Sequence, residues 1–518
     1  MPAARATAPY RDAPTVGSSR AWVMLLGVVS MAAAALLMFI GTSLGMLYAI
    51  VAVVGVFAVI VVVVAPVFGI MVFIGTLLLG LPWFLAGDGR LTANNLLGLV
   101  LLGVLIVQIC LTRDLWFLKT TQVIMFAIIG GVFLISLTNA RHAYIPHTPL
   151  PKDFTENTLF IFFTRLAFLC MFVNFVRTKR QVLLVLFAVL MFTMAVIPSA
   201  FYNLANYKGE EDVATGKVLD ADTGKVTEFR VTSDTTSWGK NENRLAFMCN
   251  VSILLMWMFL QIWRRWWIWA LGFPLILIMA GLTLSTASRS GFLSLGLAFA
   301  FLLLQRGIGW RLRAGVLVAI VFCGLIFFLV LPRASYERLL NYSTDQSTHG
   351  EAWRSTERRI ETNQHAIEVF KSAPLLGIGP GNFRWLHREL YPYTLAAGRP
   401  NHNSYLWAAT EGGVLALGCY LILFFFLWRD LARAQPLYAA SDTMWHVVRF
   451  LRGFLGLWIF FSVFADFWLE VHVYLIAGLA MLLVRRRLDD YTGEATPAPT
   501  APSASLAGHG TALPEPAS

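Results

Sequence analysis

Three short polar stretches interrupt an otherwise apolar chain: STASRSG at 285–291, STERRIETN at 355–363 and RPNHNSY at 399–405. They set Arg289 between two apolar runs and put Arg358 and Arg359 side by side on a helical pattern. The third places His402 between Asn401 and Asn403, with Arg399 one turn earlier. An arginine's planar fork engages two phosphate oxygens at once. A histidine beside such arginines takes a proton from a hydroxyl near neutral pH. A lipid diphosphate whose sugar is moved to an acceptor alcohol would need both. Each stretch also has a plainer explanation. Arg289 reads equally as an interfacial anchor, Arg358 and Arg359 as a solvated helix face, and His402 as a neighbour of asparagines that cap a helix.

Further polar groups extend the candidate set. Arg165 lies inside an apolar run, about two turns from its end, and an arginine at that depth is functional by default. It is a candidate for the same phosphate. Glu411 follows His402 within the next apolar run, while Asp466 and Glu470 stand at another boundary. These three are candidates for orienting the histidine or meeting the acceptor. The pair Asp220 and Asp222 resembles a metal-holding carboxylate pair, but the Thr-Gly after it makes it a turn, where aspartate is common for local reasons. GIGPGNF at 377–383 has no preceding strand and no Lys-Ser/Thr, so it is a turn and not a phosphate loop. The reading calls for no metal and no cofactor.

The elements that must carry these residues follow from composition. The chain has 518 residues, of which 58% are hydrophobic and 13% charged, with mean hydropathy +0.67. A soluble domain carries about 25% charged residues. Apolar runs of bilayer length recur, as in AWVMLLGVVSMAAAALLMFI, and no strand-like alternation of an outer-membrane barrel is present. The fold expected is an all-α polytopic membrane protein of about fourteen spans. The net charge of +11 resides in short connectors such as Arg177–Arg180, Arg264–Arg265, Arg429–Arg433 and Arg485–Arg487. That is the positive-inside pattern and excludes a nucleic-acid stripe. The five cysteines lie in apolar segments, which argues against a disulfide framework.

Placing both termini in the cytoplasm puts every basic connector inside. The expected organisation is a cytoplasmic tail at 1–20, transmembrane helices at 21–200, an outer loop at 201–243, helices at 244–332, a large outer loop at 333–403, helices at 404–487 and a disordered Pro/Ala/Ser-rich tail at 488–518. In the first loop, Thr-Gly-Lys-Val recurs at 215–218 and 223–226 and predicts a β-hairpin. In the second, the pattern predicts a helix with Ile360, Ile367 and Phe370 on its apolar side, stopped by Pro374 and a glycine-rich turn.

At these residues the sequence resembles the O-antigen ligase and O-antigen polymerase superfamily of bacterial inner membranes. NRLA at 243–246 resembles the family's Asn-x-(Leu/Phe)-Ala after an outer loop. TASRSG resembles its Ser-Arg-(Gly/Ser) connection. RRIETNQHAIEVFKSAPLLGIGPGNF resembles its loop pattern Arg-x-x-x-Trp followed by Pro-Leu-(Phe/Leu)-Gly-x-Gly, with Asn363 where the family has tryptophan. HNSYLWAATEGG resembles its His-Asn-x-x-Leu. The resemblance spans roughly residues 240–425 and implies a multi-span glycosyltransferase of the GT-C-like kind. It implies His402 as the catalytic base and a donor diphosphate held by Arg289 and Arg359, with Arg358 as the alternative in the loop.

What the resemblance implies chemically is a metal-independent, inverting transfer from an undecaprenyl diphosphate-linked glycan at the periplasmic face of the inner membrane. The acceptor implied is another lipid-linked glycan repeat for a polymerase, lipid A–core for a ligase, or a protein side chain for an oligosaccharyltransferase. Other polysaccharide assembly proteins are candidate partners. The polymerase is preferred because nothing resembles an extra C-terminal acceptor domain. The rival of a different class is a lipid-linked glycan flippase, which should show internal repeats and a charged path through several spans. No repeat is seen, and the polar residues gather on one face.

Overall fold

The computed structural model describes residues 59–79, 93–113, 115–143, 152–205, 210–212, 217–219, 226–227, 241–305, 309–330, 350–394, 396–467 and 469–485. The N-terminal half contributes α1 (Pro66–Leu79), α2 (Ala93–Thr112), α3 (Thr121–Ala143), α4 (Lys152–Phe175), α5 (Lys179–Met194) and α6 (Val196–Ala205). After the first loop come α7 (Glu242–Ile262), α8 (Trp266–Ser285), α9 (Arg289–Leu304) and α10 (Trp310–Val330). The second loop supplies α11 (Gly350–Ser372) and α12 (Phe383–Leu390). The chain then forms α13 (Ser404–Ala434), α14 (Thr443–Phe461) and α15 (Val471–Arg485).

Seven of the described helices are long and apolar enough to cross a membrane. Five more of the expected spans appear as shorter apolar helices. The expected spans at 21–40 and 43–64 lie wholly or largely outside the described residues, as do Asp220 and Asp222. Among the described residues the fold is helical apart from three short strands in the first loop, β1 (Glu210–Asp212), β2 (Lys217–Leu219) and β3 (Val226–Thr227). They pair antiparallel in the order β1-β2-β3, with Val218 opposite Thr227. The repeated Thr-Gly-Lys-Val therefore does form a hairpin, to which β1 adds a strand that the repeat did not announce.

Helix α7 is the centre of the bundle. Every residue from Leu245 to Leu260 is buried, so this helix is apolar all round instead of carrying one stripe. Helices α8, α9 and α14 pack on it. Contacts between helix ends sort the polar features into two groups. At one end of the bundle Arg244 meets Asp466 and Glu470, and Arg289 meets Thr356 of α11. At the other, Lys179 pairs with Asp442 at 2.8 Å and Gln122 donates to Asp430 at 2.5 Å. The basic connectors around Lys179, Arg264 and Arg429 thus lie away from His402, as alternation along the chain requires.

The second loop is docked, not merely tethered. Ile378 N donates to Thr410 O at 2.9 Å, Gly379 N to Glu411 O at 3.0 Å, and Val414 N to Pro374 O at 2.7 Å. These contacts exist because α13 breaks at Gly413, whose φ of 68° frees local backbone groups. Only glycine adopts that conformation there at no steric cost. The loop's own turn needs the same freedom at Gly377, with φ 67°. A Cβ on Gly413 would meet Leu375 O at 2.1 Å. We therefore expect Gly413→Ala to destabilise the protein by more than about 1 kcal/mol and to open residues 374–382 to protease. Unchanged thermal stability and protease resistance would contradict this account of the break.

Candidate active site

The Ser-Arg-Ser-Gly connection is held from below by a buried polar network. Asn250, in the middle of α7, donates through Nδ2 to Gly291 O (3.0 Å) and Ser294 Oγ (2.6 Å), and its Oδ1 accepts from Thr283 Oγ1 (3.1 Å). Above it, Asn243 Oδ1 accepts from Ser288 Oγ at 2.6 Å. Ser288 also caps α9 by accepting from Gly291 N at 3.0 Å. Only three residues separate α8 from α9, and Ala287 takes a left-handed φ of 49° to make the reversal. Arg289 is consequently the first residue of α9, at a helix N-terminus that itself favours negative charge. Its Nη1 donates to Thr356 Oγ1 at 3.0 Å.

Helix α11 brings the paired arginines to this point. Its buried side is Thr362, Ala366 and Val369, followed by Ala373, whereas Ile360 and Ile367 are exposed. The expected apolar side was thus misassigned, because small residues, not the large ones, seat this helix against its neighbours. Arg359 lies close enough to Arg289 for the two charges to repel, and burial together with Arg289 pushes Arg359 below the usual guanidinium range. Arg359 also acts on His402. Of the two adjacent arginines, Arg359 is therefore the one that joins Arg289 and the histidine. Arg358 lies one position round the helix, and its carbonyl accepts from Thr362 Oγ1 at 2.6 Å.

The role of helix cap falls to Asn403, whose Oδ1 accepts from Tyr405 N (3.0 Å) and Leu406 N (3.1 Å). His402 stands just outside the helix, beside a second clamp. Ser404 Oγ donates to Ala465 O at 2.6 Å and accepts from Phe467 N at 2.8 Å, and Ser404 N donates to Ser462 O at 2.8 Å. This brackets Asp466 against the start of α13. Burial pushes the His402 imidazole below its ordinary value; Arg359, Arg399 and Arg244 add to that, and Asp466 opposes it. These surroundings therefore favour the uncharged imidazole. Next to it Asn401 is 1% exposed, and neither its amide oxygen nor its nitrogen has a hydrogen-bond partner.

Other candidates are placed differently. Asp466 and Glu470 both hold Arg244, at 3.5 and 3.1 Å. Arg165 is half-buried within the field of Glu470, and its buried Nε and Nη1 lack hydrogen-bond partners. Glu411 is 2% exposed, and its carboxylate accepts from Gly381 N at 2.9 Å. It anchors the glycine-rich turn, so it serves the loop and is not presented to a ligand. The same bonds occupy amides of GIGPGNF, in keeping with a structural turn. Sequence reasoning missed Arg244. The one local signal is that Arg244 is the second residue of the NRLA stretch; its acidic partners lie far along the chain.

The family model described as O-antigen ligase matches residues 274–421, from α8 to the middle of α13. This part of the chain is similar to the O-antigen ligase family. The matched stretch contains Arg289, Arg359 and His402, while Arg244 and Asp466 lie outside it. No curated protein matches the chain at a significant level.

The charges around His402 yield a test with a defined sign. If neutral His402 is needed, the rate falls as acid protonates it, with a midpoint below the ordinary imidazole value of about 6.5. Asp466→Asn removes the one charge that favours the imidazolium and should move the acid limb to lower pH. Arg399→Gln removes a repelling cation and should move it to higher pH. Profiles that stay fixed, or move in the opposite directions, would show that another group sets the limb.

Proposed function

We propose that the chain catalyses metal-independent, inverting transfer of an undecaprenyl diphosphate-linked glycan to an acceptor hydroxyl at the outer face of the inner membrane. The observation that carries this is the convergence of Arg289, Arg359 and a half-buried, neutral-favouring His402 from three separate segments on one end of the bundle. His402 takes the acceptor proton as the acceptor oxygen attacks the anomeric carbon. The bond from that carbon to the diphosphate oxygen breaks on the opposite face, which inverts the centre. The departing lipid diphosphate gains negative charge, and Arg289 and Arg359 compensate it. The N-terminus of α9 adds to the same field. Arg165, with donors unpartnered and Glu470 nearby, is available for further phosphate contact, as is Arg399 beside the base. The unsatisfied amide of Asn401 is suited to a sugar hydroxyl, since an acceptor or donor there would restore its missing hydrogen bonds.

The preferred acceptor is the growing end of a second lipid-linked glycan, which makes the protein a polysaccharide or O-antigen polymerase. The ligase reading, with lipid A–core as acceptor, is favoured by one observation: the matched family is described as O-antigen ligase. Purified protein in liposomes with a labelled lipid-linked donor and each acceptor decides between them by the mass of the product. Movement of the donor between leaflets with no covalent extension would replace both readings with a flippase.

Two predictions follow from this arrangement. Arg289→Ala and Arg359→Ala should each lower transfer by about 10²–10³, the usual effect of deleting a donor aimed at developing charge. Lysine should restore little because it lacks the fork, and Arg358→Ala should be milder. An essential Arg358 with a dispensable Arg359 would contradict the geometry. Activity should also survive chelators. The second concerns topology. Single cysteines at Ser347 and Gly216, in a background without the five native ones, should react with an impermeant thiol reagent in intact spheroplasts. Reaction only after lysis would place the site on the wrong side.

A further inference from the structure

At the end of the bundle away from His402, helices α7, α9 and α14 enclose a second cavity. Its interior has about 10 Å³ for a water-sized group, room for a single oxygen, and it is open at its mouth. Its polar lining is Gln261, Gln305, His446 and Arg449, and Trp257 borders it among apolar side chains. The polar groups satisfy one another in a chain. His446 Nδ1 lies 2.9 Å from Gln261 Oε1, and Gln261 Nε2 donates to Gln305 Oε1 at 3.4 Å. Two donors are left over. Arg449 is 8% exposed and its Nη2 has no hydrogen-bond partner; Trp257 is 3% exposed and its Nε1 has none either. The Arg449 guanidinium rests on the Trp445 ring at 4.2 Å, but among the described residues that line the cavity there is no carboxylate to balance it. A buried guanidinium without a counter-charge is costly unless an anion completes it.

The setting identifies the source of such an anion. Trp263, Trp266, Trp267 and Trp310 are exposed at this end of the bundle, with Arg264 and Arg265 exposed among them. Exposed tryptophans with basic residues mark the headgroup level of a membrane. Arg244 and Gln261 are seventeen residues apart on α7, about 25 Å along a helix, so this cavity and the His402 site face opposite leaflets. We propose that the cavity is a binding site for a phosphate group, whose oxygen accepts from Arg449 Nη2 and Trp257 Nε1. Its source is the headgroup of an anionic phospholipid of the leaflet opposite the active site.

The test uses the full-length protein in detergent and native mass spectrometry with added phosphatidylglycerol, or with galactosyl diacylglycerol carrying the same acyl chains. Wild-type should hold phosphatidylglycerol on the order of tenfold more tightly than Arg449→Gln, as expected for loss of a charge-assisted hydrogen bond. Trp257→Phe should show a smaller loss, and it carries the test if Arg449→Gln fails to fold. The galactolipid should not distinguish the variants. Arg265→Gln makes the same change in net charge on an exposed side chain and should bind like wild-type. Inorganic phosphate is the second arm: competition by millimolar phosphate, lost in Arg449→Gln, supports the site with a soluble source. Equal binding by wild-type, Arg449→Gln and Trp257→Phe in both arms, or an equal loss in Arg265→Gln, overturns the proposal.

Discussion

The seam between the second loop and α13 is the constraint on which the site depends. A membrane helix that ran unbroken from Ser404 would have no free amide or carbonyl to offer a loop. The break at Gly413 exposes them, and residues 374–381 take them up with backbone bonds and with the Glu411 carboxylate. The loop enters this seam directly from α11, and α11 carries Arg359. The helix that leaves it begins two residues after His402. A few backbone bonds, made possible by two glycines in left-handed conformation, therefore fix the placement of Arg359 relative to His402. No long side chain has to do so.

The electrostatics around the base are a compromise set by the same packing. Gathering Arg289, Arg359, Arg399 and Arg244 at one end of the bundle favours a diphosphate but disfavours a protonated histidine. In the proposed mechanism the base must begin neutral, and its protonation would be compensated by the negative charge of the departing diphosphate. Asp466 moderates the field. It shares Arg244 with Glu470, and the Ser404 clamp keeps it close to the start of α13. Beneath the arginines, the network of Asn250, Thr283, Ser288 and Ser294 satisfies polar groups in the bundle interior. A half-satisfied network there would be worse than an apolar one.

Much of this was legible in the sequence. Hydropathy and basic connectors sorted the spans, because the bilayer imposes length and charge rules on each span separately. The histidine and Arg289 were legible for the complementary reason that polar residues are rare in such a chain. What failed was whatever depended on tertiary contact. Ile360 and Ile367 look like the core side of α11, yet Thr362, Ala366 and Val369 are what its neighbours require. Glu411 looked like a ligand-facing acid and is an anchor for a turn. Gly413 sits in an unremarkable apolar run, and nothing local distinguishes it from Gly412. Arg244 was hidden because its partners lie more than two hundred residues away.

The central claim is that His402 accepts a proton and that Asn403, not His402, caps the helix. His402→Gln keeps a polar side chain of similar reach that does not take up a proton near neutral pH. The decisive measurement is single-turnover transfer by purified His402→Gln protein, saturated with lipid-linked donor and matched to wild-type for membrane insertion and thermal stability. The account predicts intact folding, retained donor binding through the arginines, and a rate lower by about 10²–10⁴, the contribution typical of a positioned base. Transfer close to the wild-type rate by that folded, donor-bound variant would contradict it.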